Sequence, residues 1–219
     1  MKLLLRLTVL IAFLSFSVSS NAQSFGIKGG FNMSNVAISE DGEDAEEDFK
    51  YTPGFHFGPV VDIPLSDNFS IEAGLLATSK GAQMKEEEMG FEYSMKLFLL
   101  YVDVPVLAKV SFDAGGAKIY AAVGPYVGGG IMGKSKYEAS YGGETESETE
   151  DIEWGSGEDA DLKRLDYGVS AGAGVQFGSL QLGVSYGYGL ANLDPTSDSD
   201  FKINNRVLGV SLGYWFGGK

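Results

Sequence analysis

The sequence predicts an all-β protein, an eight-stranded antiparallel up-and-down transmembrane β-barrel. Three observations predict it. Near the C-terminus, Leu208, Val210, Leu212, Tyr214 and Phe216 alternate with Val207, Gly209, Ser211 and Gly213. That spacing gives a strand one greasy face and one mostly small or polar face, as lipid outside and a filled bore inside require. The same period-two pattern recurs along the chain. A secretory leader precedes it: Lys2 and Arg6, an apolar run over 7–16, then Ser20-Asn21-Ala22 with small residues at the cleavage positions. The expected organisation is a cleaved signal peptide over 1–22 and one barrel domain over 23–219, exported to a bacterial outer membrane.

Composition narrows the classes. The chain has 219 residues, no Cys, one His and a net charge of −14, and losing Lys2 and Arg6 makes the exported part more acidic still. Without Cys there are no disulfides and no thiol chemistry. An acidic surface repels nucleic-acid phosphates, so no nucleic-acid partner is expected. No segment after the leader is apolar over 18 consecutive residues, which argues against helical spans. The 31 Gly, 14 Phe and 11 Tyr suit a small barrel: glycine relieves crowding inside and aromatics anchor the rims.

In order, the strands are expected over 24–36, 51–63, 69–80, 91–112, 118–132, 162–177, 180–190 and 201–216. Phe25, Ile27 and Phe31 face outward on the first, and Phe55, Phe57 and Val61 on the second. Phe69, Ile71 and Leu75 do so on the third, and Leu100, Val102, Val104 and Val110 on the fourth. The fifth is assigned through Ile119, Val123 and Val127, the sixth through Tyr167, Val169 and Phe177, the seventh through Leu180, Leu182 and Val184. Connections alternate in length. Those over 64–68, 113–117 and 178–179 are short and read as periplasmic turns. Those over 37–50, 81–90, 133–161 and 191–200 are long and read as outer loops. A hairpin hidden in the third long loop is the alternative that would raise the strand count to ten.

The same alternation points Lys28, Asp62, Glu72, Asp103 and Lys109 inward from the first four strands. Four of them fall in the periplasmic half, with Asp103 higher. Buried charges must pair, so these residues are expected to form a lumen ionic network that fills a narrow bore. A gate or narrow ion path is the alternative. His56 also points inward. Nothing local supplies a nucleophile motif around it, and one His without Cys makes zinc improbable. No catalytic residue, no cofactor and no metal site is assigned.

The outer loops are acidic. Glu43, Asp44, Glu46, Glu47 and Asp48 crowd the first, and Glu138, Glu144, Glu146, Glu148, Glu150, Asp151 and Asp161 stand in the third. Such runs are ordinarily solvated. They also suit divalent cations or a basic protein partner at the cell surface, with Tyr137, Tyr141 and Trp154 as apolar anchors. Calcium is only weakly signalled, because Asp41-Gly42-Glu43-Asp44 lacks the spacing of an EF-hand loop.

The run Tyr101-Val102-Asp103-Val104-Pro105-Val106-Leu107-Ala108-Lys109, followed by Gly124-Pro125-Tyr126-Val127, resembles the PorT-like outer-membrane β-barrel proteins common in Bacteroidetes. Gly26-Ile27-Lys28-Gly29-Gly30-Phe31-Asn32 is similar to that family's opening strand. The resemblance covers 23–219 and implies a barrel, with Tyr101, Pro105, Gly124, Pro125 and Tyr126 as motif residues. It also implies a link to a protein secretion pathway, for which no residue here is specific. The reading is therefore a monomeric, non-enzymatic barrel that stabilises the envelope or binds at the surface. Its partners are outer-membrane lipid and, transiently, the barrel assembly machinery. A narrow pore for small solutes or ions and a secretion accessory are the alternatives.

Overall fold

The computed structural model describes residues 23–40, 43–44, 49–88, 91–142, 144–157, 159–196 and 201–216. The expected signal peptide and the acidic residues Glu46, Glu47 and Asp48 lie outside them. Eleven strands form one antiparallel sheet: β1 Ser24–Glu40, β2 Glu43–Asp44, β3 Thr52–Pro64, β4 Phe69–Gly74, β5 Leu76–Glu88, β6 Phe91–Asp113, β7 Lys118–Tyr141, β8 Glu144–Asp151, β9 Leu165–Phe177, β10 Leu180–Gly189 and β11 Lys202–Phe216.

The sheet closes on itself. β1 pairs with β3 on one side and with β11 on the other, from Phe25–Phe216 up to Ser39–Lys202. The ring then runs β3, β4 with β5, β6, β7, β9, β10 and β11. β4 and β5 are one barrel strand interrupted at Leu75, whose N–H donates to the Pro59 carbonyl at 3.0 Å. Opposite the break, a Cβ on Gly58 would lie 2.0 Å from the Leu75 carbonyl oxygen, so only glycine admits that approach. The ring thus has eight strands. Closure removes the unpaired edges that an open sheet would expose.

Three short connections gather at the end holding Ser24 and Phe216. Phe177 pairs with Leu180 across the two-residue turn Gly178-Ser179, with Gly178 at a φ of 56°. Gly115 and Gly116, at 67° and 103°, turn the chain between β6 and β7. This is the periplasmic end. Phe25, Phe112, Phe177 and Phe216 ring it, facing out.

The outer face is apolar from strand to strand. Val104, Val123, Val169, Val184, Leu182, Leu212 and Val210 are all exposed, Val210 at 55%. Many inner positions are small or polar, including Asn32, Ser34, His56, Gln181 and Asn205, with aromatics such as Tyr101, Tyr120, Tyr126 and Trp215 among them. A water-soluble barrel would show the opposite arrangement, so the surrounding medium of the ring is hydrocarbon.

Two segments read as loops are instead strand over much of their length, 81–88 of the second loop and 133–141 with 144–151 of the third. β5 and β6 pair as far as Glu88–Phe91, and β7 continues to Tyr141 and turns into β8, with Lys134 opposite Asp151 and Tyr141 opposite Glu144. The hidden hairpin exists but stands above the ring without widening it. A bulge at Leu100/Tyr101 marks the transition: Leu100 pairs with Met132 and Tyr101 with Gly130, leaving Ile131 as the extra residue. Bulges bend a sheet; here the bend lies where the wall becomes a free-standing extension. Inside the mouth, Leu99 and Tyr101 pack against Leu162, Ala191 and Leu193, with Trp154 edge-on to Tyr101 at 5.6 Å.

Candidate functional site

Charged side chains meet inside the ring at two levels. In the lower one, Lys109 of β6 donates to Asp62 of β3 at 3.2 Å and to Glu72 of β4 at 3.2 Å, while Lys28 of β1 pairs with the other oxygen of Glu72. Ser70 also donates to Asp62 at 2.9 Å. Two ammonium groups and two carboxylates balance. The Lys109 ammonium lies 5.0 Å from the Trp215 ring centre and 5.4 Å from that of Tyr120, contacts that favour a desolvated cation. Trp215 in turn donates its indole N–H to Gln181.

The upper level holds Asp103, with partners the sequence reading did not single out. Lys80 of β5 donates to Asp103 of β6 at 3.0 Å and to Asp166 of β9 at 2.8 Å, reaching across the bore. Asp166 is fully buried and also accepts from Asn205 of β11 at 2.8 Å and from the Tyr126 hydroxyl at 3.4 Å. The Lys80 ammonium sits over both Tyr101 and Tyr126, 4.5 and 4.7 Å from their centroids. One cation therefore serves two carboxylates, and polar donors complete the shell. The five expected network residues are divided between these levels: Lys28, Asp62, Glu72 and Lys109 below, Asp103 above. The signal for Lys80 and Asp166 was present, since both share the parity of inward residues on their strands.

The motif residues border the upper level. Tyr101 and Tyr126 flank Lys80, and Pro105 pairs with Tyr126 before the β6–β7 ladder resumes at Ala108–Val123. Pro105 and Pro125 carry no N–H, so the gap falls where the ladder lacks donors. A Cβ on Gly124 would lie 2.1 Å from the Val106 carbonyl oxygen, which keeps that position to glycine.

Between the two levels lies a cavity of about 120 Å³, lined by Lys28 and Glu72 at one end, Lys80 and Asp103 at the other, and His56, Ser185 and Ser211 among the walls. His56 bonds Asn32 Oδ1 through Nδ1 at 2.7 Å and Ser211 Oγ through Nε2 at 2.9 Å. Asn32 Nδ2 donates to the carbonyls of Phe55 and Ser79, which turns its oxygen toward His56. Nδ1 is then the donor, and Nε2 of the neutral ring accepts from Ser211. A Ser–His–Asn chain resembles the relay of a hydrolase. Ser211, however, is flanked on both sides by ladder partners, Gly30 and Gly183, so its own backbone N–H is placed for strand pairing rather than for an oxyanion.

Outside the membrane, β5 to β8 form a two-faced sheet. One face carries Met84, Met95 and Tyr137 in a single row, then Glu148, with Phe91 stacked on Tyr141 at 4.0 Å nearby. By parity Glu144, Glu146, Glu148 and Glu150 share this face. The other carries Lys85, Lys96, Lys134 and Lys136 with Glu138 and Asp151. The Lys136 ammonium donates to Glu138 at 2.7 Å and holds that carboxyl below the usual carboxylate range, with Lys85 and Lys96 acting in the same sense. Glu43 and Asp44 form the short strand β2 against β1. Among the described residues no group of three or more His, Asp or Glu side chains is placed to hold a metal ion.

A closed, outwardly apolar ring with a polar bore defines a transmembrane β-barrel of the bacterial outer membrane. The sequence agrees: residues 19–194 match the model of the outer membrane protein beta-barrel domain, and the chain belongs to that family. No curated protein shows a significant match. Among solved structures, the attachment invasion locus protein Ail of Yersinia pestis is similar at 18% identity, over 88% of this chain and 99% of that one, with a TM-score of 0.34. Neisserial surface protein A is similar at 13% identity, over 88% and 97%, with a TM-score of 0.41. OprG from Pseudomonas aeruginosa is similar at 12% identity, over 89% and 96%, with a TM-score of 0.42.

Proposed function

We propose that this protein is a non-enzymatic outer-membrane barrel with a closed lumen, whose acidic extracellular surface meets cations or a basic protein partner and so stabilises the envelope or binds at the cell surface. The observation that carries this reading is the cross-bracing of the bore. Lys80 ties β5 to β6 and β9, Asn205 adds β11, and Lys109 and Lys28 tie β6 and β1 to β3 and β4. Small barrels fill their interior with side chains, and charges so paired are expensive to separate. With the bore occupied, the groups left to meet a partner are outside: the glutamates of β8 and the exposed Phe91, Tyr93 and Tyr141. The protein is monomeric in this reading, meeting the assembly machinery only during insertion.

Single-channel recording of the refolded, inserted protein tests it. Electrical silence is the expected result. Stable conductance steps that change in Lys109→Ala or Glu72→Ala would overturn the closed lumen and make the cavity between the levels part of a narrow pore. Within the family, we assign the chain to the PorT-like branch on the Tyr101–Lys109 and Gly124–Val127 motifs. That assignment favours a second reading, an accessory of a secretion system, which a stable crosslinked partner and loss of secreted cargo on deletion would establish.

A further inference from the structure

A second cavity, of about 430 Å³, lies above the ring between the acidic-aromatic face of the extracellular sheet and the segment leading into β9. Its walls are apolar: Val36 and Ile38 of β1, Met84 of β5, Met95 and Leu97 of β6, and Ile152 just after β8. Besides the hydroxyls of Ser135 and Tyr137, its polar lining residues are all acidic. Glu150, Asp151 and Asp161 line it, and no basic residue among the described residues does. Asp161 is held by the backbone N–H of Glu153 at 2.8 Å, and Asp151 approaches Lys134 at 3.7 Å. Glu150 makes no ion pair among the described residues.

The volume falls in the ~300–1,000 Å³ range of small-molecule sites, where an apolar lining supplies affinity and a few polar groups fix orientation. An apolar chamber edged by carboxylates discriminates by charge: it welcomes a hydrophobic body bearing one positive group and repels the corresponding anion. We infer that this cavity is a binding site for amphipathic organic cations, an aryl or alkyl body within and its ammonium at Glu150 and Asp161, the Asp151 carboxylate being turned to Lys134 on the opposite face. The site rests on the surface-binding reading above and gives it a small-molecule ligand class. It is distinct from the lumen cavity, from which the Leu99, Tyr101 and Leu162 cluster separates it.

The probe is biphenylmethylammonium, with biphenylmethanol and biphenylcarboxylate as neutral and anionic isosteres. Each is titrated calorimetrically into the full mature barrel in phosphatidylcholine nanodiscs, with empty nanodiscs as blank. One cation per barrel is expected, at least tenfold tighter than the alcohol, with no detectable binding of the carboxylate. Glu150→Gln is expected to draw the cation and alcohol affinities together. Met95→Trp and Ile152→Trp, each checked for a folded barrel by heat-modifiable migration, are expected to abolish binding by filling the space. Equal binding of cation and alcohol, or no binding by the unaltered protein, overturns the proposal. So does cation binding that survives in both filled variants. If that surviving binding is lost in Glu144→Gln/Glu146→Gln/Glu148→Gln, the cavity proposal fails while the acidic-surface reading stands.

Discussion

Lys80 shows what a single side chain does in this bore. Its ammonium is almost fully buried and is the only cation within bonding distance of Asp103 and Asp166 among the described residues. Removing it leaves two desolvated carboxylates facing each other. Lys80→Ala is therefore expected to cost about 3–5 kcal/mol, the usual penalty for orphaning a buried charge. The triple replacement Lys80→Met/Asp103→Leu/Asp166→Leu removes charge and counter-charge together and is expected to recover most of that loss. Urea unfolding in lipid vesicles measures both; equal destabilisation of the two variants would show that packing, not charge, holds this level. The sequence made part of this site legible. Alternation placed Lys28, Asp62, Glu72, Asp103 and Lys109 inside, because parity on a strand needs no tertiary information. Position along each strand also set Asp103 above the other four, but it did not supply the partners of Asp103, because ring closure alone brings Asp166 of β9 to Lys80 of β5. The Ser211–His56–Asn32 chain was hidden for the same reason: 155 residues separate Ser211 from His56.

At the level of elements, β8 poses the sharpest question. Glu144, Glu146, Glu148 and Glu150 occupy every second position of a strand that, among the described residues, pairs only with β7 and is exposed along its whole length. Open edges invite pairing with a second copy, and charge is a common deterrent. Replacing these four glutamates by Gln is expected to leave the heat-modifiable ring intact while raising the crosslinked dimer fraction severalfold in detergent. An unchanged monomer would show that β8 is kept apart by something other than its charge. β8 also explains why the loops were misjudged. ETESETED has the composition of a solvated tail and no apolar alternation, so nothing local favours a strand. Register comes from β7, whose 24 residues carry the template beyond the membrane. By contrast β3, β9, β10 and β11 were legible nearly end to end, because lipid on one side and a polar bore on the other write a clean period of two.

For the whole molecule, the opposition of an apolar outside and a charged inside implies that position relative to the bilayer governs the cost of a charge. Val210 and Phe216 both face outward on β11 and are similarly exposed, at 55% and 53%. They differ in depth: Phe216 pairs with Phe25 at the periplasmic rim, whereas Val210 pairs with Phe31 and Val184 six residues higher. At roughly 3.3 Å per residue along a tilted strand, that separation carries Val210 well into the hydrocarbon. Val210→Arg is expected to destabilise the inserted barrel by about 2–4 kcal/mol and Phe216→Arg by about 0–1 kcal/mol from charge alone, since a rim guanidinium reaches water. Urea unfolding in vesicles reads both values, with Phe216→Ala correcting for the lost ring. A larger charge cost at 216 than at 210 would place the membrane elsewhere on the ring and would move the bilayer boundary away from the bulge at Leu100/Tyr101, along with the surface on which β8 and the upper cavity open.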